Sequence, residues 1–225
     1  MENDQYSLQI TRDFLKEYGK LEQISKDSPL IYERFSNKYN DAFELYRHTR
    51  NVLTHNRVRG EYPLIVSKYM LEDLKEKIKW MSAKAINKCT KISQVESISL
   101  STPIHKVISL MDKKNYSFLP IFVDGKVKYV ISEKAILTIL SDNKEGVIYD
   151  ETITVENFLK YFELDNNPNE YYEFAEKDKL VYDLKEIFGS IRNGKRCGVV
   201  FVTQNGKPSE SVLGIITLWD IAFTD

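Results

Sequence analysis

With 225 residues, 42% of them hydrophobic, the chain is long enough to bury a core and to divide into one or two domains. Its 32 basic residues stand against 33 acidic ones, a formal charge of −1; this excludes a global field that draws in nucleic acid or membrane, so any polyanion contact must be local. Cys89 and Cys197 lie far apart with no spaced histidine beside them, so neither a zinc site nor a disulfide framework is expected. The opening MENDQYSLQI lacks a basic segment ahead of an apolar run, and no apolar stretch reaches membrane-spanning length; the expected location is cytoplasmic, without membrane contact.

Residues 1–90 read as an all-helical domain. Apolar residues recur at helical spacing in three sets: Leu8 to Leu21, a long set from Ile31 to Leu53, and Leu64 to Met81. Three helices, the second long, make a small bundle that gains from a partner. Toward the end of the second helix lie Arg47, Arg50, Arg57 and Arg59 with no acid between them, a local positive patch suited to a polyanion.

After Cys89 short β-branched runs alternate with single amphipathic helices, the pattern of mixed α/β packing. A helix from Ile104 to Lys113 precedes a strand from Phe118 to Val123. Asp124-Gly125 then supplies the positive φ angles of a two-residue hairpin, followed by a strand from Val127 to Ile131 and a helix from Ser132 to Leu140. The order returns downstream: a helix from Leu180 to Ile191, strands at Gly198 to Val202 and Val212 to Ile216, and a short helix from Thr217. This is an internal repeat of helix, strand, turn, strand, helix. Between the copies Thr154 is placed to cap a short helix, and the Pro168 region breaks the chain. Tyr161, Tyr171, Tyr172, Trp80 and Trp219 are expected in packing roles.

The second copy closes on Gly214-Ile215-Ile216-Thr217-Leu218-Trp219-Asp220. Thr217 and Asp220, three apart at a helix start, share a face; a hydroxyl there can meet a phosphate or sugar oxygen, a carboxylate can accept both ribose hydroxyls, and the helix amino terminus offers N–H donors to phosphate. Lys195 and Arg196 are candidate phosphate partners nearby. The equivalent first-copy stretch, Tyr129 to Ala135, keeps a hydroxyl at Ser132 but has Ala135 where the carboxylate stands.

On these residues, 92–225 resemble a tandem pair of CBS domains, the Bateman module. That family's repeats are strand, helix, two strands and a helix, and two repeats pack pseudo-symmetrically around two clefts that often bind adenine nucleotides. The resemblance implies an AMP-, ADP- or ATP-type regulatory ligand at Thr217 and Asp220, with Ser132, Lys195 and Arg196 as further candidates and the first cleft empty or differently used.

Arg50-Asn51 with His55 resembles the motif of HEPN domains, many of which are metal-independent endoribonucleases. The resemblance implies Arg50, Asn51 and His55 as catalytic residues: a near-neutral His moves protons while Arg stabilises charge on the phosphate. The Tyr found two residues after the His in some members is Arg57 here. At roughly 100° per residue, Arg50 and His55 sit about 140° apart on a straight helix. They converge only through a bend or a second chain, so a homodimer is expected.

The expected fold is therefore α+β in two domains: a HEPN-like helical bundle over residues 1–90, and a CBS module over 91–225 with a first repeat to about 142, a connector over about 143–172 and a second repeat over about 173–225. The expected function is nucleotide sensing that controls a ribonuclease domain able to act on RNA; the alternative is a non-enzymatic sensor whose helical part only dimerises or recruits a partner.

Overall fold

A computed structural model of the chain describes residues 2–142, 150–165 and 167–222. The chain separates into two compact units, Met1–Ala83 and Lys84–Asp225. The opening of the expected connector, residues 143–149, lies outside the described residues.

The first unit is helical: α1 (Glu2–Asp27), α2 (Pro29–Lys38), α3 (Asn40–His55) and α4 (Lys68–Ser82). Phe14, Leu21, Tyr46, Leu53, Leu74 and Met81 close its core, each almost fully buried. Each such large apolar side chain contributes about 1.5–3 kcal/mol relative to exposure. The single long helix expected over Ile31 to Leu53 is two helices. Tyr39 leaves helical geometry at φ −119° and ψ 42°. Phe35, Tyr39 and Phe43 keep four-residue spacing across the break, so periodicity runs through it unseen, and the Lys38 and Lys77 ammonium groups lie 5.0 and 4.6 Å from the Tyr39 ring centre. The last helix begins at Lys68, capped by the Ser67 hydroxyl accepting from the Met70 N–H at 3.2 Å. The segment before it is irregular and tied to α1 through Thr11, whose buried hydroxyl accepts from the Val66 N–H at 3.1 Å.

In the second unit, α5 (Ala85–Lys88) and β1 (Thr90–Lys91) lead into the first copy of the repeat: α6 (Ile104–Lys114), β2 (Phe118–Val123), β3 (Lys126–Ser132) and α7 (Glu133–Asp142). The β2–β3 hairpin turns through Asp124 at φ 51° and Gly125 at φ 73°, the positive φ pair a two-residue turn requires. A 3-10 turn follows over Val155–Tyr161, opened by a reciprocal cap in which Thr154 and Asn157 satisfy one another's backbone N–H groups.

The second copy comprises β4 (Glu170–Glu176), α8 (Val181–Gly189), β5 (Ile191–Arg192), β6 (Lys195–Thr203), β7 (Gly214–Ile216) and α9 (Leu218–Ala222). Its sheet runs β1-β7-β6-β4, with β4 parallel to β6, β7 antiparallel to both β1 and β6, and β5 hairpinned onto β6. Cys197 to Thr203 is a continuous buried run, as a strand covered on both faces should be. The helix expected to reach Ile191 stops at Gly189, and Lys195 and Arg196 open β6 after a turn at Asn193-Gly194.

The two copies join in a shared core. Ile104, Val107, Leu119, Ile131 and Ile139 pack within the first copy. Val127 and Val130 of β3 pack with Val199 and Phe201 of β6.

Candidate functional site

At Gly214, β1 comes too close for any side chain. A Cβ placed there meets the Cys89 Sγ at 2.5 Å and the Thr90 carbonyl oxygen at 2.6 Å, so glycine is the residue that lets β1 pair with β7 at Lys91 and Gly214. Burial pushes the Cys89 thiol pKa up, and the nearby Asp220 carboxylate adds to the rise. Beyond β7 the chain turns into α9 at Thr217. Here the structure departs from the sequence reading in one chemical detail. The Asp220 Oδ2 accepts hydrogen bonds from both the Thr217 N–H at 2.7 Å and the Thr217 hydroxyl at 2.8 Å. The donors assigned to a phosphate are engaged by the protein's own carboxylate. Among the described residues, Asp220 Oδ1 accepts no hydrogen bond.

Thr217 and Asp220 line a cleft of about 590 Å³ together with Thr90, Ile215 and Trp219. The first copy supplies the remaining wall: Asn115 to Phe118, where α6 hands over to β2, and Glu133 at the start of α7. Asn115 takes a left-handed conformation, φ 55°, and its N–H closes the end of α6, which sets the direction in which Tyr116 and Ser117 leave the helix. Trp219, expected in packing, is 67% exposed on this cleft.

The other candidates fall elsewhere. Ser132 is buried, its hydroxyl capping α7 by accepting from the Ala135 N–H at 3.1 Å. Ala135 itself is fully buried in the first-copy core. Lys195 donates its ammonium to the Asn167 carbonyl, Arg196 is exposed on β6, and neither lines the cleft. Beside Ser132 lies a group the sequence did not flag. Glu170, the first residue of β4, is 7% exposed, its Oε2 has no hydrogen-bond partner, and the Lys134 ammonium stands 3.7 Å from Oε1. Desolvation raises its pKa above the ordinary carboxylate value; the Ser132 hydroxyl and Lys134 draw it partly back.

In the helical unit, Arg50 is half-buried, paired with Glu22 at 2.9 Å and set over the Tyr18 ring. Its guanidinium also donates to the Asn51 Oδ1 at 3.2 Å. Asn51 and His55 are exposed, and α3 runs without interruption through His55, so no bend brings His55 round to Arg50. The arginine patch is partly neutralised, because Arg47 pairs with Glu44 as Arg50 does with Glu22. Arg57 lies 4.0 Å from the Tyr62 ring centre and donates to the Gly60 carbonyl. Among the described residues no group of three or more His, Cys, Asp or Glu is arranged to hold a metal ion, and no helix is long and apolar enough to cross a membrane.

Hairpins flanked by helices, twice over, with a cleft lined from both copies, define a repeat-built α/β module. Residues 87–142 match the CBS domain family, so the chain carries a CBS domain over its first copy. No curated protein matches the chain. Similar solved structures include a hemolysin-like protein containing a CBS domain from Oenococcus oeni, at 12% identity over 66% of this chain and 93% of that one, TM-score 0.45. A CBS domain pair solved with 5′-methylthioadenosine and S-adenosyl-L-methionine aligns at 19% identity over 62% and 93%, TM-score 0.44. The CBS domain of a bacterial CNNM/CorC family Mg2+ transporter, solved with ATP, aligns at 13% identity over 67% and 92%, TM-score 0.46.

Proposed function

We propose that residues 84–225 form a CBS pair that senses an adenine nucleotide or a related adenosine compound, making the chain a regulatory protein. The observation that carries this reading is Asp220: two hydrogen bonds from Thr217 fix its carboxylate in the cleft of about 590 Å³ while Oδ1, among the described residues, accepts none. A carboxylate oxygen so fixed accepts from ribose hydroxyls without first having to be ordered. The first copy offers no such group at Ala135, so one ligand per chain is expected. For the ligand to regulate anything it must bind two states of the protein with different affinity.

Thermal or denaturant unfolding of the purified chain with adenosine, AMP, ADP and ATP tests the reading. A ligand at about 100 times its Kd should add roughly 2.7 kcal/mol. Asp220→Asn, which removes the charge and keeps the shape, should abolish that gain. Four compounds that all leave the unfolding midpoint unmoved would overturn the proposal.

For the helical unit the finer proposal is a HEPN-like, metal-independent endoribonuclease working as a homodimer. Asn51 and His55 support it, being one helical turn apart on the same exposed face of α3. Arg50 pairs with Glu22 and also reaches Asn51, and α3 does not bend toward it at His55, so in this reading the arginine opposite a given His55 comes from a second copy. Labelled RNA incubated without metal should yield cyclic-phosphate ends, lost in His55→Ala. Identical behaviour of the wild type and His55→Ala would leave the helical unit as a dimerisation or recruitment platform.

A further inference from the structure

The charges lining the cleft bear on which adenosine compounds it can hold, a question that rests on the nucleotide-sensing reading above. Two of its lining residues, Glu133 and Asp220, are carboxylates, and none of the described lining residues is Lys, Arg or His. The two groups that would ordinarily receive a phosphate at such a helix start, the Thr217 N–H and hydroxyl, both donate to Asp220. Lys195 is engaged with the Asn167 carbonyl and lies off the cleft wall. What remains is an acceptor-rich, acidic cleft with aromatic and aliphatic surface from Tyr116, Phe118, Ile215 and Trp219. Such a surface suits a flat base, and the acceptors suit hydroxyls or an amine.

A phosphate entering this space brings one to two negative charges against two carboxylates, with no cation among the described lining residues to compensate. Like charges about 6–8 Å apart at a protein surface repel enough to weaken binding by roughly tenfold or more. We infer that the cleft selects adenosine compounds without net negative charge, neutral nucleosides and thionucleosides or a cationic adenosyl sulfonium, over nucleoside phosphates.

Isothermal titration of the full chain in low salt, without Mg2+, decides this with adenosine, 5′-methylthioadenosine, S-adenosylmethionine, AMP and ATP as probes. AMP is expected to bind about tenfold more weakly than adenosine, ATP more weakly still, and the gap should narrow as salt is raised. Glu133→Lys, a change at an exposed position, should shift the AMP-to-adenosine affinity ratio at least about tenfold toward AMP. Wild type binding AMP or ATP as tightly as adenosine, or an unchanged ratio in Glu133→Lys, would overturn the charge selection while leaving the nucleotide-sensing reading intact. Failure of all five probes to bind would remove that underlying reading, and the selection with it.

Discussion

The two copies of the repeat open their last helices with opposite halves of one capping arrangement. In the first, the Ser132 hydroxyl accepts from the Ala135 N–H three residues on. In the second, the side chain three residues on reaches back, and Asp220 accepts from the Thr217 N–H and hydroxyl. The complete, reciprocal form has both bonds, and the connector shows it at Thr154 and Asn157. Either half stabilises a helix start, so the capping requirement alone leaves the residue at the third position free. In the first copy the methyl group of Ala135 there is fully buried in the core. In the second the carboxylate of Asp220 lines the cleft that both copies wall. In the proposed reading, capping chemistry and ligand chemistry share the same two residues, Thr217 and Asp220.

The largest expected effect comes from forcing the first copy to resemble the second. Ala135→Asp puts a carboxylate into the packed first-copy core, near the already buried Glu170 side of Ser132. It should destabilise the fold by about 3–5 kcal/mol in denaturant unfolding, the scale of an uncompensated buried charge. A variant that kept wild-type stability and gained a second molar equivalent of ligand would show that the first copy is an intact cleft lacking only its acid.

A smaller effect is expected at Glu170. Its pKa is raised in the folded protein, so the folded state holds the proton more tightly than the unfolded chain does. The stability this gives is fully present below the ordinary carboxylate value of 4.5 and is lost as pH rises through the folded value. Facing groups are Lys134 and Glu133 on α7, Ser132 on β3, Tyr172 on β4 and Cys197 on β6. Glu170→Gln should flatten that slope and stabilise the protein at neutral pH by about 1 kcal/mol, measured by denaturant unfolding across pH 4–8. An unchanged slope would mean that another group carries the pH dependence. The smallest effect on the fold belongs to Asp220→Asn, whose amide oxygen can still accept from Thr217. The ligand-free midpoint should move by less than about 1 kcal/mol while the ligand-induced gain disappears, which separates binding from capping.

Much of the architecture was legible in the sequence wherever a local rule dictates it. Asp124-Gly125 announced the β2–β3 hairpin because few residues tolerate positive φ, and Gly214 to Asp220 marked the cleft because strand, turn and cap are compressed into seven residues. β4 was missed: Glu170, Glu173 and Glu176 interrupt its apolar pattern, yet the strand pairs in parallel with β6 at the end of the sheet and its first glutamate is buried. The break at Tyr39 was missed because four-residue apolar spacing survives it. The wall from Asn115 to Phe118 and Glu133 carried no signal, since nothing local distinguishes a helix end that faces a cleft from one that faces water.

The sequence by itself determined the repeat, its hairpin turn and the polar pair Thr217 and Asp220, because backbone sterics and capping act within a few residues. Tertiary structure decided which oxygen of Asp220 is engaged, that Glu133 from the other copy stands in the same cleft, and that Lys195 and Arg196 do not. Those facts depend on distances between segments remote along the chain, and Coulomb and desolvation energies follow distance through space, whatever the separation in sequence.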